Sequence, residues 1–305
     1  MGIKRRDFFK IMSTATASAA LVSTSPKAHA VEDFSGWPNR YAVLTDTTKC
    51  VGCLSCEEAC NAANNLPEPE IPFADLDLAE IEEKRRPEAN AYTVVNRYPN
   101  PKNPEEPIHV KIQCMHCNEP ACASACLVNA LKKTPEGAVV YNEDLCIGCR
   151  YCMAACPFYM PAYDYSSPLR PKVTKCILCY QKITNGEVPA CVADCPMEAN
   201  IFGKRKELIK IARNRIQKEP DKYIDHIFGE YEAGGTSWLY ISSVPFEQLG
   251  FQTDVGTRPY PEYTRGFLSM VPAVLVLWPA LLGGFYAFTK RRDEIGERQE
   301  NREEE

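Results

Sequence analysis

Sixteen cysteines are the residues in this chain whose type and spacing promise chemistry, and all of them fall into four tight groups. These are Cys50, Cys53, Cys56, Cys60; Cys114, Cys117, Cys122, Cys126; Cys146, Cys149, Cys152, Cys156; and Cys176, Cys179, Cys191, Cys195. Thiolates are soft ligands, and a [4Fe–4S] cluster is held by four of them, so sixteen match four clusters without remainder. The first and third groups read C-x2-C-x2-C-x3-C, a run known around bacterial iron–sulfur centres, and the third closes on Pro157. The second group widens its middle gap to x4, and the fourth opens it to x11 before Cys195-Pro196. Such a pattern conducts electrons.

Three other chemistries fit less well. A disulfide framework suits exported proteins but does not require repeated C-x2-C-x2-C triplets. Zinc ribbons use separated C-x2-C pairs, with no fourth cysteine three residues after a triplet. A radical enzyme needs an open iron site, and no group here is short of a ligand.

The segments between the groups must position them. The linkers Cys126–Cys146 and Cys156–Cys176 are equally long, 19 residues each, so composition has to discriminate. After Cys126 the sequence LVNALKK predicts a short helix, Pro135-Glu136-Gly137 a turn, and Ala138–Tyr141 a strand. That is a ferredoxin half-unit. The stretch 157–175 holds four prolines and predicts no hairpin. Groups two and three therefore pair as an inner module at about 110–160. Groups one and four pair as an outer module at about 41–63 with 172–203. In such modules the fourth thiolate crosses to the neighbouring cluster. The expected ligand sets are Cys50, Cys53, Cys56 with Cys195; Cys60 with Cys176, Cys179, Cys191; Cys114, Cys117, Cys122 with Cys156; and Cys126 with Cys146, Cys149, Cys152.

Residues 1–30 carry a twin-arginine n-region (Lys4-Arg5-Arg6-Asp7-Phe8-Phe9-Lys10), a mild apolar stretch and an Ala28-His29-Ala30 cleavage site. That address predicts export of a protein already folded around its clusters. At the other end, 24 uncharged residues from Gly266 to Thr289 would span about 36 Å as a helix, against about 30 Å for a bilayer. Lys290-Arg291-Arg292 places the tail 290–305 in the cytoplasm by the positive-inside rule. Between leader and anchor (263–289), residues 31–262 form the cluster domain, whose folding is coupled to ligation.

Two stretches lie outside the modules: 53 residues between Cys60 and Cys114, and the segment after Cys195. The latter contains an amphipathic basic helix candidate (Ile201–Lys218) and a strand within Gly234–Ile241. Either can dock a partner or cap a cluster from water. A net charge of −5 gives no hint of nucleic acid, and no nucleophile–base set, phosphate loop or nicotinamide fingerprint is present. His116, inside C-M-H-C, is expected to shield or hydrogen-bond a sulfur rather than to ligate. Lys49 and Lys175 each precede a first cysteine, where a cation either raises the cluster's potential or is simply a solvated surface charge.

Taken together, K-C-V-G-C-L-S-C, Q-C-M-H-C, C-I-G-C-R-Y-C-M-A-A-C-P and K-C-I-L-C-Y with C-V-A-D-C-P closely resemble the four-cluster ferredoxin subunits of bacterial respiratory complexes. G-G-T-S-W-L-Y-I-S-S-V-P and the single anchor incline the resemblance toward the iron–sulfur subunits of membrane-bound nickel–iron uptake hydrogenases, beside those of sulfate-reducer redox complexes. The resemblance implies an α+β fold of two bacterial-ferredoxin-like modules with insertions and one C-terminal transmembrane helix, and the same pairing of groups. It implies an electron carrier, not itself catalytic, at the periplasmic face of the inner membrane. Its partners would be a hydrogenase, multihaem cytochrome or molybdenum-enzyme subunit on one side and a multi-span quinone-reactive membrane subunit on the other. The rival from a different class is a metal-bound structural or scaffolding subunit, with zinc or inert clusters, which metal analysis separates.

Overall fold

A computed structural model describes residues 39–166 and 172–303; the expected leader lies outside them. The elements run β1 (Tyr41–Asp46), α1 (Ser55–Ala63), β2 (Thr93–Tyr98), β3 (Ile108–Gln113), α2 (Ala121–Ser124), β4 (Leu131–Lys133), β5 (Val139–Tyr141), α3 (Tyr151–Ala155), β6 (Ala162–Asp164), β7 (Lys172–Thr174), α4 (Tyr180–Thr184), α5 (Ala190–Ala193), β8 (Asn200–Lys204), α6 (Arg205–Lys218), β9 (Trp238–Ile241) and α7 (Tyr260–Glu303). Helix and strand are mixed, as expected.

β1 is the middle strand of a three-stranded sheet and is buried from Ala42 onward, which suits its apolar run. It pairs antiparallel with β8, Tyr41 facing Lys204, and parallel with β9, Val43 facing Trp238. Successive side chains point to opposite faces. Ala42, Leu44, Leu239 and Ile241 pack on one face against Leu208, Ala212 and Ile216, the i, i+4, i+8 stripe of α6. Val43, Trp238 and Tyr240 turn to the other face and join the larger core. This sheet is what draws the first and fourth cysteine groups together: β1 leads into Cys50, β8 follows Cys195, and α1 packs on α5. Arg205 clamps the start of α6 by donating to the carbonyls of Thr236, Gly229 and Glu230 at 2.7, 3.1 and 2.8 Å.

Three two-stranded antiparallel hairpins complete the strands: β2–β3, β4–β5 and β6–β7. Two expectations need correction. LVNALKK is not helical; Leu131–Lys133 is a strand, paired with β5 across the turn at Pro135–Gly137. Residues 157–175 do contain a hairpin, since Ala162 faces Thr174 and Asp164 faces Lys172. Pro157 and Pro161 lie outside the paired residues, where a missing N–H costs no ladder bond. Both linkers thus carry the same device, and linker composition does not discriminate between pairings.

Within the first insertion, Arg85 forks onto Glu57 of α1 (2.5 and 3.1 Å), and the Val95 amide donates to the same carboxylate. That ion pair fastens the insertion over the first cysteine group. The expected basic helix begins at Arg205 rather than Ile201, because 200–204 is spent on β8. α7 continues through Pro272 and Pro279 into the charged tail. It is long and apolar enough to cross a membrane, and its most apolar stretch packs against nothing in the chain.

Candidate iron–sulfur sites

The four C-x2-C loops share one backbone device. The residue just before the second cysteine is left-handed in every group: Gly52 (φ 74°), His116 (48°), Gly148 (68°) and Leu178 (57°). A left-handed residue here curls consecutive amides into a concavity suited to an anionic cluster. Gly148 and Leu178 N–H donate to the sulfurs of Cys146 and Cys176, each at 3.4 Å. A second turn recurs past the fourth cysteine. Asn129, Tyr159 and Glu198 are left-handed, and their amides donate to the carbonyls of Cys126, Cys156 and Cys195 at 3.2, 3.1 and 3.2 Å. The following amides of Ala130 and Met160 reach the sulfurs of Cys126 and Cys156 at 3.2 and 3.5 Å. Cys60 departs from this rule because α1 continues to Ala63; the Asn64 side-chain amide contacts its sulfur instead, at 3.5 Å.

The thiols gather across groups. Cys50 has Cys195 and Cys53 as electrostatic neighbours, and the three line a recess together with Cys56. Cys60 neighbours Cys191 and Cys179, and with Cys176 these line a second recess. Cys117 neighbours Cys156, Cys114 and Cys122, while Cys152 neighbours Cys146, Cys126 and Cys149. Successive gatherings lie within electrostatic reach of one another: Cys56 senses Cys191, Cys176 senses Cys114, and Cys122 senses Cys152. The sixteen thiols thus form a file of four.

All sixteen are free thiols. Among the described residues no three His, Cys, Asp or Glu side chains are drawn together tightly enough for a single-ion site. Burial, reinforced by neighbouring thiols, pushes Cys50 and Cys152 up to about 11 and Cys60 to about 12. Cys117 and Cys176 are driven well above the usual thiol range for the same reason. Such thiolates need positive charge, and the iron of a cluster supplies it. The donor set and its concave amides fit [4Fe–4S] clusters.

His116 is fully buried, and burial lowers its pKa well below the ordinary value, so the ring is neutral. The Val139 amide donates to Nδ1 at 3.0 Å, which leaves the proton on Nε2, 3.5 Å from Cys176 Sγ. The histidine between Cys114 and Cys117 therefore donates to a sulfur of the adjacent gathering, in line with the sulfur-bonding expectation. Lys175 is buried, its ammonium on the carbonyls of Val139 and Cys176, whereas Lys49 is only half-buried. Sequence reasoning missed two more cations. Lys133 donates to the carbonyls of His116 (2.8 Å) and Gly137 (2.6 Å), and burial brings its pKa down to about 7. Lys111 is 1% exposed. A lysine inside the apolar strand run Ile108–Gln113, three residues ahead of Cys114, was the available signal for the latter.

Comparison with known proteins agrees with this geometry. Residues 108–205 match the family model described as a 4Fe-4S dicluster domain. The Hydrogenase-2 operon protein HybA of Escherichia coli O157:H7 is 37% identical over 286 residues, covering 81% of this chain and 83% of that protein. The chain belongs to the iron–sulfur electron-transfer subunits of bacterial respiratory complexes. Another relative of this subunit, from Nitratidesulfovibrio vulgaris, is 48% identical over 293 residues, 95% of this chain and 78% of that protein. The iron-sulfur subunit of the nitrate-inducible formate dehydrogenase of Escherichia coli K12 is 31% identical over 204 residues, 66% of this chain and 67% of that subunit.

Proposed function

We propose that this subunit holds four [4Fe–4S] clusters in a single file. It would relay electrons between a periplasmic catalytic or haem subunit, a hydrogenase or multihaem cytochrome, and a quinone-reactive integral membrane subunit. The observation that carries the reading is the succession of four thiol gatherings, each within electrostatic reach of the next. When bound, each cluster supplies a one-electron carrier. The chain's own part is to position, insulate and bias them. The ligand sets are those in which the thiols gather: Cys50, Cys53, Cys56, Cys195; Cys60, Cys176, Cys179, Cys191; Cys114, Cys117, Cys122, Cys156; and Cys126, Cys146, Cys149, Cys152. Recurrence of the same two turns at the cysteine groups supports duplicated ferredoxin-like modules.

The two ends of the file serve different partners. α7 leaves the domain beside α2, where Arg265 meets Glu119 at 3.3 Å. The Cys114–Cys156 half of the file therefore faces the bilayer and the quinone-reactive subunit. Exposed Val51 and Met197 mark the far end, beside Cys50 and Cys195, where the catalytic or haem subunit would dock. The twin-arginine leader, periplasmic placement and cytoplasmic tail after Lys290-Arg291-Arg292 belong to the same reading, as does a subunit with no catalytic residue of its own. The hydrogenase-type assignment is supported by the extent of the match to HybA, 81% of this chain against 66% for the formate dehydrogenase subunit. A molybdenum-enzyme complex is the runner-up. Purified protein should contain about sixteen iron and sixteen labile sulfide per chain, reducible in one-electron steps. A few zinc atoms and no labile sulfide would refute the proposal.

A further inference from the structure

Lys111 is a buried cation placed beside two of the thiol gatherings. It sits on β3, 1% exposed, and lines both outer recesses, the one with Cys50, Cys53, Cys56 and Cys195 and the one with Cys60, Cys176, Cys179 and Cys191. Its ammonium donates to Gln113 Oε1 at 2.8 Å and lies 4.3 Å from the centre of the Trp238 ring. Gln113 in turn donates to the Tyr240 hydroxyl at 2.6 Å, and that hydroxyl donates back to the Lys111 carbonyl at 2.9 Å. The loop of bonds fixes where the charge stands. Among the described residues no carboxylate pairs with Lys111; Glu57, the acid whose field it shares, is already held by Arg85 and the Val95 amide. A buried, unpaired ammonium is costly unless its surroundings are negative. Lys111 borders eight cysteines, four in each recess, and thiolates ligating iron there would supply the negative surroundings.

We propose that Lys111 is a fixed positive charge shared by the two outer clusters, raising both reduction potentials together and leaving the inner two unmoved. The physical reason is that reduction adds negative charge to a cluster in a low-dielectric interior, where a nearby cation stabilises the reduced state more than the oxidised one. Potentials of such clusters respond to net charge around them. The far end of the file then retains an electron better than the membrane-facing end. This inference rests on the four-cluster reading above.

The test is an EPR-monitored redox titration of the intact protein with Lys111→Met, which keeps length and removes charge. At fixed ambient potential the reduced-to-oxidised ratio of the two outer clusters should fall at least tenfold, 59 mV for a one-electron couple, while the inner two shift less than twofold. Lys111→Arg should leave all four within about threefold of the parent. No shift, an equal shift in all four, or a shift confined to the inner pair overturns the proposal. Should Lys111→Met and Lys111→Gln both fail to assemble, the arginine variant must restore parent iron content and parent potentials, and its failure to do so also overturns it. If the parent protein itself lacks four clusters, the functional reading falls instead, which iron and sulfide analysis distinguishes.

Discussion

Gly52→Ala is the sharpest probe of the cluster loops, because two separable costs meet at one position. Gly52 lies at φ +74°, and a Cβ there would stand 2.5, 2.7 and 2.8 Å from Cδ2, Nε2 and Cγ of His109. Left-handed backbone costs a non-glycine residue about 1–2 kcal/mol. The reduced freedom of the unfolded chain returns about 0.4–1 kcal/mol, leaving about 1 kcal/mol of net backbone cost. The imidazole must also retreat by about 1 Å to reach ordinary contact, an overpacking that costs about 1–3 kcal/mol. The sum is about 2–4 kcal/mol, or a drop of about 5–15 °C at about 2–4 °C per kcal/mol for a domain of this size. The assay is thermal bleaching of the visible absorption of the loaded protein. Gly186→Ala is the control, since Gly186 is left-handed (φ +79°) but has nothing within 4 Å of its Cβ position, so only the backbone cost remains. Adding His109→Ala to Gly52→Ala should recover the overpacking part. The reasoning is wrong if Gly52→Ala is no worse than Gly186→Ala, or if the double variant melts no higher than Gly52→Ala alone.

Three further outcomes are expected. Cys156→Ala should abolish the EPR signal of the cluster held by Cys114, Cys117 and Cys122, its thiol neighbours, and spare that of Cys146, Cys149 and Cys152; the reverse pattern would sink crossed ligation. His226 Nε2 meets Glu232 at 2.7 Å, which raises the histidine's pKa, while the pair lowers that of Glu232 against the opposing effect of burial. The pair's stabilisation is therefore full below about pH 6.5, the ordinary histidine value, as long as Glu232 stays ionised, and is lost as pH rises through the raised value. The melting advantage of parent over His226→Gln should shrink between pH 6 and 8, from a gain held under about 1 kcal/mol by solvent screening; an advantage that grows with pH would contradict the sign. Truncation before Gly266 should leave iron content intact, because every cysteine precedes α7, yet release the protein from membranes and weaken quinone reduction; a fall in iron would make the helix part of the fold.

The cysteine spacing made the sites legible in the sequence because cluster ligation is a local constraint, enforced by loops of two or three residues. The short strands were not legible. Leu131–Lys133 has three residues and owes its conformation to pairing with Val139–Tyr141, which no local propensity encodes. The β6–β7 hairpin was hidden by prolines that fall outside its paired positions. The role of His116 was readable in kind, from the abundance of cysteine ligands, but its partner was not. Cys176 is 60 positions away in sequence. Lys111 offered a signal, a lysine within a strand just ahead of Cys114, but such a lysine reads as a solvated edge until the topology buries it against Trp238.

The pairing of β1 with β8 and β9 also imposes a timetable on synthesis. Thr45 meets Asn200 across 155 positions, and the Trp238 indole meets the same threonine across 193. The His116–Val139 contact spans only 23. At about 5–20 residues per second the ribosome needs on the order of ten seconds to travel from the first cysteine group to the last. Throughout that interval Cys50, Cys53, Cys56 and Cys60 exist as a nascent claw whose closing strands have not been made, while the Cys114–Cys156 stretch can already wrap its metal. With the proposed ligand sets, the sites would mature from the middle outward, like brackets closing. A chain released before Trp238 would carry all sixteen thiols and still present its earliest ones to oxidants, so the final strand, which contributes no ligand, decides when the subunit is finished.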